Sequence, residues 1–101
     1  MLRHIVMWQF KDQAQGASKE ENMSRAAEML QALQGIIPQI LSMHIGRDVT
    51  GKAGSYDMAL EIDFAGPEEL AYYTDHPEHK KVSAFIGSVR DSRVSCDFYL
   101  D

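Results

Sequence analysis

Four polar side chains of this sequence can take part in proton transfer, although they lie far apart along the chain. His79 leads them, because the unperturbed pKa of a histidine lies near neutral pH and lets it take or give a proton. Tyr73 can donate a hydrogen bond to a developing enolate or oxyanion. Asp97 can accept the Nδ1 hydrogen bond of His79 and fix its tautomer. His4 stands near the start of the chain, so the fold must bring it to the others.

Each of the four residues also has a purely structural interpretation. His79 can be an exposed residue in the first turn of a helix, and Asp97 can face solvent or a subunit interface. Tyr73 can pack its ring under a helix joint, and His4 can be a core histidine with its hydrogen bonds satisfied. The choice depends on whether the four side chains converge on one enclosed apolar cavity.

The segment from Tyr72 to Val82 is the centre of the predicted site. It holds two of the four histidines and two of the four tyrosines of the chain. Pro77 disfavours helical geometry at the preceding His76, so we predict that one short helix ends there and a second begins at Pro77. This placement puts His79 in the first turn of the second helix and assigns His76 to the helix start.

Hydrophobic periodicity and turn residues predict a regular alternation of strands and helices. Ser18 and Glu21 have the spacing of a capping box, and Gly35 fits a left-handed helix C-terminus. Gly51 and Gly54 can take positive φ in a hairpin loop. The predicted elements are, in order, a strand at 2–10, a helix at 18–34, strands at 40–49 and 55–64, helices that begin at 67 and 77, and a strand at 93–100.

This order predicts one α+β domain, residues 1–101, with a ferredoxin-like β-α-β-β-α-β fold. Its four-stranded antiparallel sheet carries the helices on one face. The other face also offers apolar side chains, because Val94, Cys96 and Phe98 alternate with polar residues in the last strand. The simplest cover for them is the same face of a second copy, so we predict a two-fold homodimer through the sheet face.

Composition excludes several classes of protein. The net charge is −5, from 15 acidic and 10 basic residues, which argues against a nucleic-acid partner because phosphates need a basic face. The sequence has no apolar run long enough for a membrane span or a signal peptide. Cys96 is the one cysteine, so no internal disulfide can form, and we expect a cytoplasmic protein.

No metal and no other cofactor is predicted from the residues. His76 and His79 are three apart, but His76 lies outside the second helix and no third ligand is placed by sequence. The pair Gly51 and Gly54 belongs to a hairpin loop and not to a strand-to-helix phosphate cradle.

Five short motifs are spread over nearly the whole chain: His4-Ile5-Val6-Met7-Trp8, Ile37-Pro38, Ser55-Tyr56-Asp57, His76-Pro77-Glu78-His79 and Cys96-Asp97-Phe98. Together they resemble the stress-responsive α/β-barrel (Dabb) family. The H-P-x-H element with the opening histidine is the most telling of them. The resemblance implies a dimeric α+β barrel.

For function the resemblance implies less, since family members range from plant stress and defence proteins to polyketide cyclases. The cyclases need no metal or redox cofactor, and their site residues correspond here to Tyr73, His79, His4 and Asp97. Some members hold a cation on backbone carbonyls after the first helix. The corresponding residues here are Gln34, Ile37 and Ile40. Carbonyls leave no mark in a sequence, so that question stays open at this point.

The predicted pocket lies between the sheet and the helices. The cyclases place aromatic residues on the first helix, where this chain has Ala27 and Leu30, and near the last strand this chain offers Arg90 and Arg93. The arginines indicate an altered pocket with an anion preference. We expect a wall made of Val6, Trp8, Leu30, Leu60, Val82 and Phe85.

Three functions fit these residues. The first is cofactor-free proton transfer on an enolisable carbonyl compound, with His79 as base and with Tyr73 and His4 polarising the carbonyl. The second is a non-catalytic dimer that binds a small apolar ligand or acts in stress tolerance. The third is a cofactor-free monooxygenase, for which Trp8 and the histidines are the loosely matching features.

Overall fold

A computed structural model describes residues 1–100 and has the predicted ferredoxin-like architecture. A four-stranded antiparallel sheet is accompanied by three helices and a two-stranded ribbon. The elements are β1 (Leu2–Phe10), β2 (Gln13–Ala14), β3 (Ala17–Ser18), α1 (Lys19–Leu33), β4 (Ser42–Arg47), β5 (Met58–Phe64), α2 (Pro67–Asp75), α3 (Pro77–Val89) and β6 (Arg90–Tyr99). Among these residues no helix combines the length and apolar character needed to cross a bilayer.

The main sheet has the strand order β4-β5-β1-β6, so β1 is central and β6 is an edge strand. The register between β1 and β6 pairs His4 with Asp97 and Trp8 with Arg93. Even-numbered residues of β1 point toward the helices, and we call that side of the sheet the inner face. The opposite side, which carries Met7 of β1, is called the outer face.

The helix α1 begins and ends by local hydrogen bonding. The Ser18 side chain accepts from the Glu21 amide and the Glu21 carboxylate accepts from the Ser18 amide, which confirms the predicted capping box. The predicted left-handed C-terminus at Gly35 is wrong, because Gly35 is not among the residues with positive φ. The helix ends instead through tight turns in which the amide of Gly35 donates to the Ala32 carbonyl.

The joint between α2 and α3 has the geometry predicted from Pro77. His76 is extended at ψ 133°, ends α2 and caps α3, where its Nδ1 accepts from the Glu78 amide at 3.0 Å. This hydrogen bond occupies the Nδ1 atom of His76 in the helix cap. His76 therefore serves the helix start, as the sequence predicted.

One core lies between the inner face and the helices. Val6 and Trp8 of β1 are buried there together with Leu30 of α1 and with Val82 and Ile86 of α3. The predicted strand alternation is confirmed in β5, whose buried Met58, Leu60, Ile62 and Phe64 join the same core. The helices therefore cover one face only.

The outer face has a polar half and an apolar half. On the polar half, Arg3 donates from Nε and Nη2 to the two carboxylate oxygens of Asp63, at 2.8 and 3.0 Å. On the apolar half, Met7 is 38% exposed and Val94 and Phe98 are each 40% exposed. Exposed apolar side chains in neighbouring rows of a sheet are typical of a protein contact.

The strand β6 begins earlier than predicted, directly after α3. Arg90, Asp91 and Ser92, predicted to lie before the strand, form its first residues. Gln9 pairs with Ser92 and Phe10 with Arg90, so the register shifts at a bulge and Asp91 has no partner in the ladder. The segment predicted as loop before α1 contains the small β2–β3 ribbon, and β4 and β5 are shorter than predicted.

Candidate active site

A cavity of about 230 Å³ lies between the inner face and the helices. It is smaller than the pockets of about 300–1,000 Å³ that hold drug-sized ligands, but larger than the roughly 150 Å³ that admit benzene. Its volume suits a compact ligand of about one substituted ring. Five of the apolar residues predicted for the wall line it: Val6, Trp8, Leu30, Leu60 and Val82.

The sixth predicted wall residue, Phe85, does not line the cavity. Its ring lies beside α1, where the guanidinium carbon of Arg25 sits 4.7 Å above the ring centroid. The reason is helical spacing, since Val82 and Ile86 are four apart and share a face, while Phe85 lies to one side. Ile86 takes the place in the wall that was predicted for Phe85.

His4, at the centre of the sheet, lines the cavity and pairs with Asp97. Its Nδ1 lies 2.5 Å from Asp97 Oδ1, and only 8% of the residue is exposed. The carboxylate can only accept, so Nδ1 donates and Nε2 is left for the cavity. The predicted bond between Asp97 and His79 is therefore wrong, because the antiparallel register sets Asp97 directly opposite His4.

His79 lines the same cavity and is oriented by backbone. Its Nδ1 lies 3.1 Å from the carbonyl oxygen of Thr74, which can only accept, so the proton is on Nδ1 and Nε2 carries a lone pair. Burial lowers the pKa of His79, and the nearby His4 and Arg93 lower it further, although the Thr74 bond opposes them. A neutral imidazole with a free Nε2 is a competent proton acceptor.

Tyr73 stands between the two histidines. Its ring centroid is 4.4 Å from that of His79 and 6.2 Å from that of His4, and the residue is 1% exposed. Burial raises its pKa well above the usual value of 10.0, although Arg93 opposes the shift. Tyr73 therefore keeps its proton at neutral pH and can act as a hydrogen-bond donor.

The wall also contains polar residues beyond the four predicted site residues. Thr74 contributes through its carbonyl, which no sequence pattern reveals, while Ser83 lies four residues after His79 and follows from helical spacing. Arg90 and Arg93 line the cavity from β6. The sequence placed both arginines near the last strand and expected them to give the pocket an anion preference, although the six predicted wall residues did not include them.

Trp8 adds an unusual feature to the wall. The residue is 4% exposed, and its indole Nε1 has no hydrogen-bond partner among residues 1–100. An indole N–H can only donate. A buried donor without an acceptor costs about 1–3 kcal/mol, so a ligand oxygen that reached Nε1 would be favoured.

The described residues contain no group of three or more His, Cys, Asp or Glu side chains placed to hold a metal ion. The carbonyl of Ile37, in the segment where a backbone cation site was left open, accepts from the amide of Ile40 at 3.2 Å.

The polar groups at the His79 end of the cavity are an imidazole acceptor on His79, a phenol donor on Tyr73 and the imidazole of His4, which is held by the Asp97 carboxylate. Such a set can move a proton on a bound molecule.

Comparison with known proteins identifies the family. The model of the stress-responsive A/B barrel domain (Dabb) matches residues 2–100. The chain belongs to the Dabb family. A curated relative, olivetolic acid cyclase of Cannabis sativa, is 30% identical over 80 residues, which are 77% of this chain and 75% of the relative.

Solved structures agree with this assignment. A dimeric ferredoxin-like protein from Thermobifida fusca is 28% identical, with a TM-score of 0.84 over 98% of this chain and 90% of that one. The hydroxynitrile lyase of Passiflora edulis is 18% identical, with a TM-score of 0.85 over 99% of this chain and 93% of that one. At 18% identity the likeness concerns the fold alone.

Proposed function

We propose that this Dabb protein catalyses proton transfer on a small, partly apolar carbonyl compound, using its own side chains and no cofactor. One observation carries the proposal. His4, Tyr73 and His79 come from three separate elements and line one cavity together with five aliphatic side chains. Convergent polar groups in an apolar pocket are the usual arrangement of an active site.

The orientation of each group assigns its role. His79 Nε2 accepts a proton from the carbon next to the substrate carbonyl, and the electrons of that C–H bond move to the carbonyl oxygen to form an enolate. Tyr73 donates a hydrogen bond to this oxygen, and burial keeps Tyr73 protonated for that purpose. His4, held by Asp97, is the second group near the developing charge. Return of the proton from His79 regenerates the base.

A curated relative lends support from outside the structure. The name of the Cannabis sativa relative describes a cyclase, and that protein shares 30% identity with this chain over 80 residues. The cavity of about 230 Å³ limits the substrate here to a compact molecule. We therefore propose a cyclase-like or lyase-like proton transfer and leave the substrate to the test below.

A non-catalytic ligand-binding role is the second candidate. It is favoured by the aliphatic wall and by the unpartnered Nε1 of Trp8, both of which serve binding without any chemistry. It leaves the orientation of His79 unexplained, since a bound apolar ligand has no use for a free Nε2.

We further propose that two copies pair through the outer face. Met7, Val94 and Phe98 are large apolar side chains exposed on neighbouring strands β1 and β6. Met7 lies directly opposite Val94 in the ladder, so the two form one patch. The solved protein from Thermobifida fusca, which is 28% identical, is a dimeric ferredoxin-like protein, and this supports the arrangement.

The test of proton transfer uses 4-acetylbenzamide, a neutral one-ring ketone, in deuterated buffer. The wild-type protein should exchange the acetyl methyl protons for deuterium faster than buffer alone, as followed by proton NMR. His79→Ala should slow the enzymatic rate on the order of 10²–10⁴-fold, the usual contribution of a general base.

The control is His44→Ala, which removes an exposed histidine from β4 outside the cavity and should leave the rate unchanged. His79→Ala should also melt within a few degrees of wild type, because a chemical role does not hold the fold together. If the probe binds the wild-type protein and exchanges only at the buffer rate, the catalytic proposal fails and the binding role is favoured.

A further inference from the structure

We infer that the natural ligand of the cavity carries a carboxylate, bound by Arg90, Arg93 and the indole N–H of Trp8 at the end of the cavity away from the His4–Asp97 pair. This inference deepens the proposed function and rests on it for the carbonyl end of the ligand. Together they define the substrate class as a small oxo acid.

The two arginines face the cavity because of their positions in the ladder. Arg93 lies opposite Trp8, and Arg90 lies opposite Phe10 after the bulge. Trp8 and Phe10 are inner-face residues, so both guanidinium groups belong to the same side of the sheet as the cavity, which they line. Two cationic side chains thus border a space whose wall also contains six apolar residues.

Neither arginine forms an ion pair with another residue among 1–100. The ion pairs among residues 1–100 involve other basic residues, namely Arg3, His4, Lys19, Arg47 and Lys81. This is notable because the chain has 15 acidic residues against 10 basic ones, so acidic partners are abundant. Two unpaired guanidinium groups at a cavity in an acidic protein are a site for an anion from outside.

The buried indole provides a second and independent observation. Trp8 is 4% exposed, and its Nε1 lacks an acceptor among residues 1–100. Trp8 lines the cavity and is the direct ladder neighbour of Arg93. The site thus combines an unsatisfied donor with two cationic donors, and it needs an acceptor that carries negative charge.

Size and shape select a carboxylate on a compact frame. A guanidinium fork matches the planar, two-oxygen geometry of a carboxylate. The cavity of about 230 Å³ leaves room for about one ring beyond it.

The two polar ends of the cavity are separated along the strand. His4 and Trp8 are four residues apart on β1, about 13 Å at roughly 3.3 Å per residue. The long arginine side chain shortens this gap, and the charge of Arg93 is felt at both Tyr73 and His79. A ligand with a ketone at one end of a ring and a carboxylate at the other therefore meets both sets of groups.

The test compares 4-acetylbenzoate with 4-acetylbenzamide, which share the ring and the ketone and differ in charge. Isothermal titration should show that wild-type protein binds the carboxylate at least about tenfold more tightly. Arg93→Gln and Arg90→Gln should each remove about tenfold of carboxylate affinity and should change amide affinity less than about twofold.

Arg25→Gln is the matched control, since it removes the same charge from an arginine that stacks on Phe85 outside the cavity. It should leave both affinities within about twofold. If the arginine variants do not fold, salt dependence of the wild-type protein decides, because only carboxylate binding should weaken as sodium chloride is raised.

Equal wild-type affinities for the two probes would overturn the inference, as would a loss in Arg25→Gln equal to that in Arg93→Gln. The inference would also be overturned if neither probe bound at about 10 mM. Deuterium exchange separates this result from the proposed function. A carboxylate preference without exchange removes the catalytic proposal alone, and exchange without a preference removes the anion site alone.

Discussion

The two faces of the sheet leave different kinds of groups without a partner. On the outer face the charged residues satisfy one another, as Asp63 accepts from Arg3 at 2.8 and 3.0 Å and from Ser42 at 3.0 Å. What remains exposed there is apolar, as at Met7 and Val94. On the inner face the apolar side chains are buried against helices, and what remains unpaired is polar and basic.

This difference indicates what each face binds. Exposed apolar side chains are best covered by another apolar protein surface, because burial of apolar surface is the main favourable term in association. Polar groups left unpaired in a small cavity, such as the indole Nε1 of Trp8, require a ligand that supplies the missing acceptors. This difference supports the proposals of a second copy of the chain on the outer face and of a small molecule on the inner face.

The largest expected effect comes from placing a charge on the outer face. Val94→Glu should raise the dimer dissociation constant by more than about 100-fold, because a two-fold interface would bury two carboxylates at once. Sedimentation velocity should show monomers or insoluble protein. The matched control Val49→Glu changes a valine that is 93% exposed and should leave the dimer intact. An unchanged dimer in Val94→Glu would show that the outer face is not the interface.

The next effect concerns the histidine pair on the inner face. Asp97→Asn keeps the shape of the side chain but allows the amide to donate to Nδ1 of His4, which should move the His4 proton to Nε2. The methyl exchange rate of 4-acetylbenzamide should fall about tenfold, a smaller loss than that of His79→Ala.

The readout that identifies a positioning role is the ¹⁵N chemical shift of the two His4 ring nitrogens. In Asp97→Asn the shift of Nδ1 should become that of an unprotonated nitrogen, and the shift of Nε2 that of a protonated one. Asp12→Asn, on an exposed loop, is the control and should alter neither the shifts nor the rate. Unchanged His4 shifts in Asp97→Asn would mean that Asp97 does not determine the tautomer.

The sequence predicted the fold well because that prediction rests on local patterns. The capping box at Ser18, the helix joint at Pro77 and the alternation in β5 each depend on near neighbours, and all three are present in the structure. The outer-face apolar row of Val94 and Phe98 follows from the same period of two.

The partner of Asp97 was not predictable from such patterns. Alternation determines which face a strand residue occupies, but a slip of two residues preserves every face, so the register stays undetermined. Only the register shows that Asp97 lies opposite His4 and not beside His79. Thr74 was missed for a related reason, since its contribution to His79 is a backbone carbonyl.

The smallest expected effect is a pH dependence of stability. Burial lowers the pKa of His79 from 6.5, so between the lowered pKa and 6.5 the unfolded chain binds more protons than the fold does. His79 therefore contributes stability at higher pH that is lost as pH falls through this window. His79→Gln should lose less stability than wild type between about pH 7.5 and about pH 5.5, as measured by urea unfolding. Equal losses in the two proteins would show that His79 is not desolvated.

The bulge in β6 determines which charged residue lies opposite Phe10 at the cavity wall. Phe10 pairs with Arg90 because Asp91 is left out of the ladder. In an unbroken ladder Phe10 would lie opposite Asp91, and a carboxylate would border the cavity at that point. A residue inserted into β1 after Gln9 would lie opposite Asp91, close the bulge and turn that carboxylate toward the inner face. One insertion can therefore change the charge beside Phe10 without any substitution in the wall.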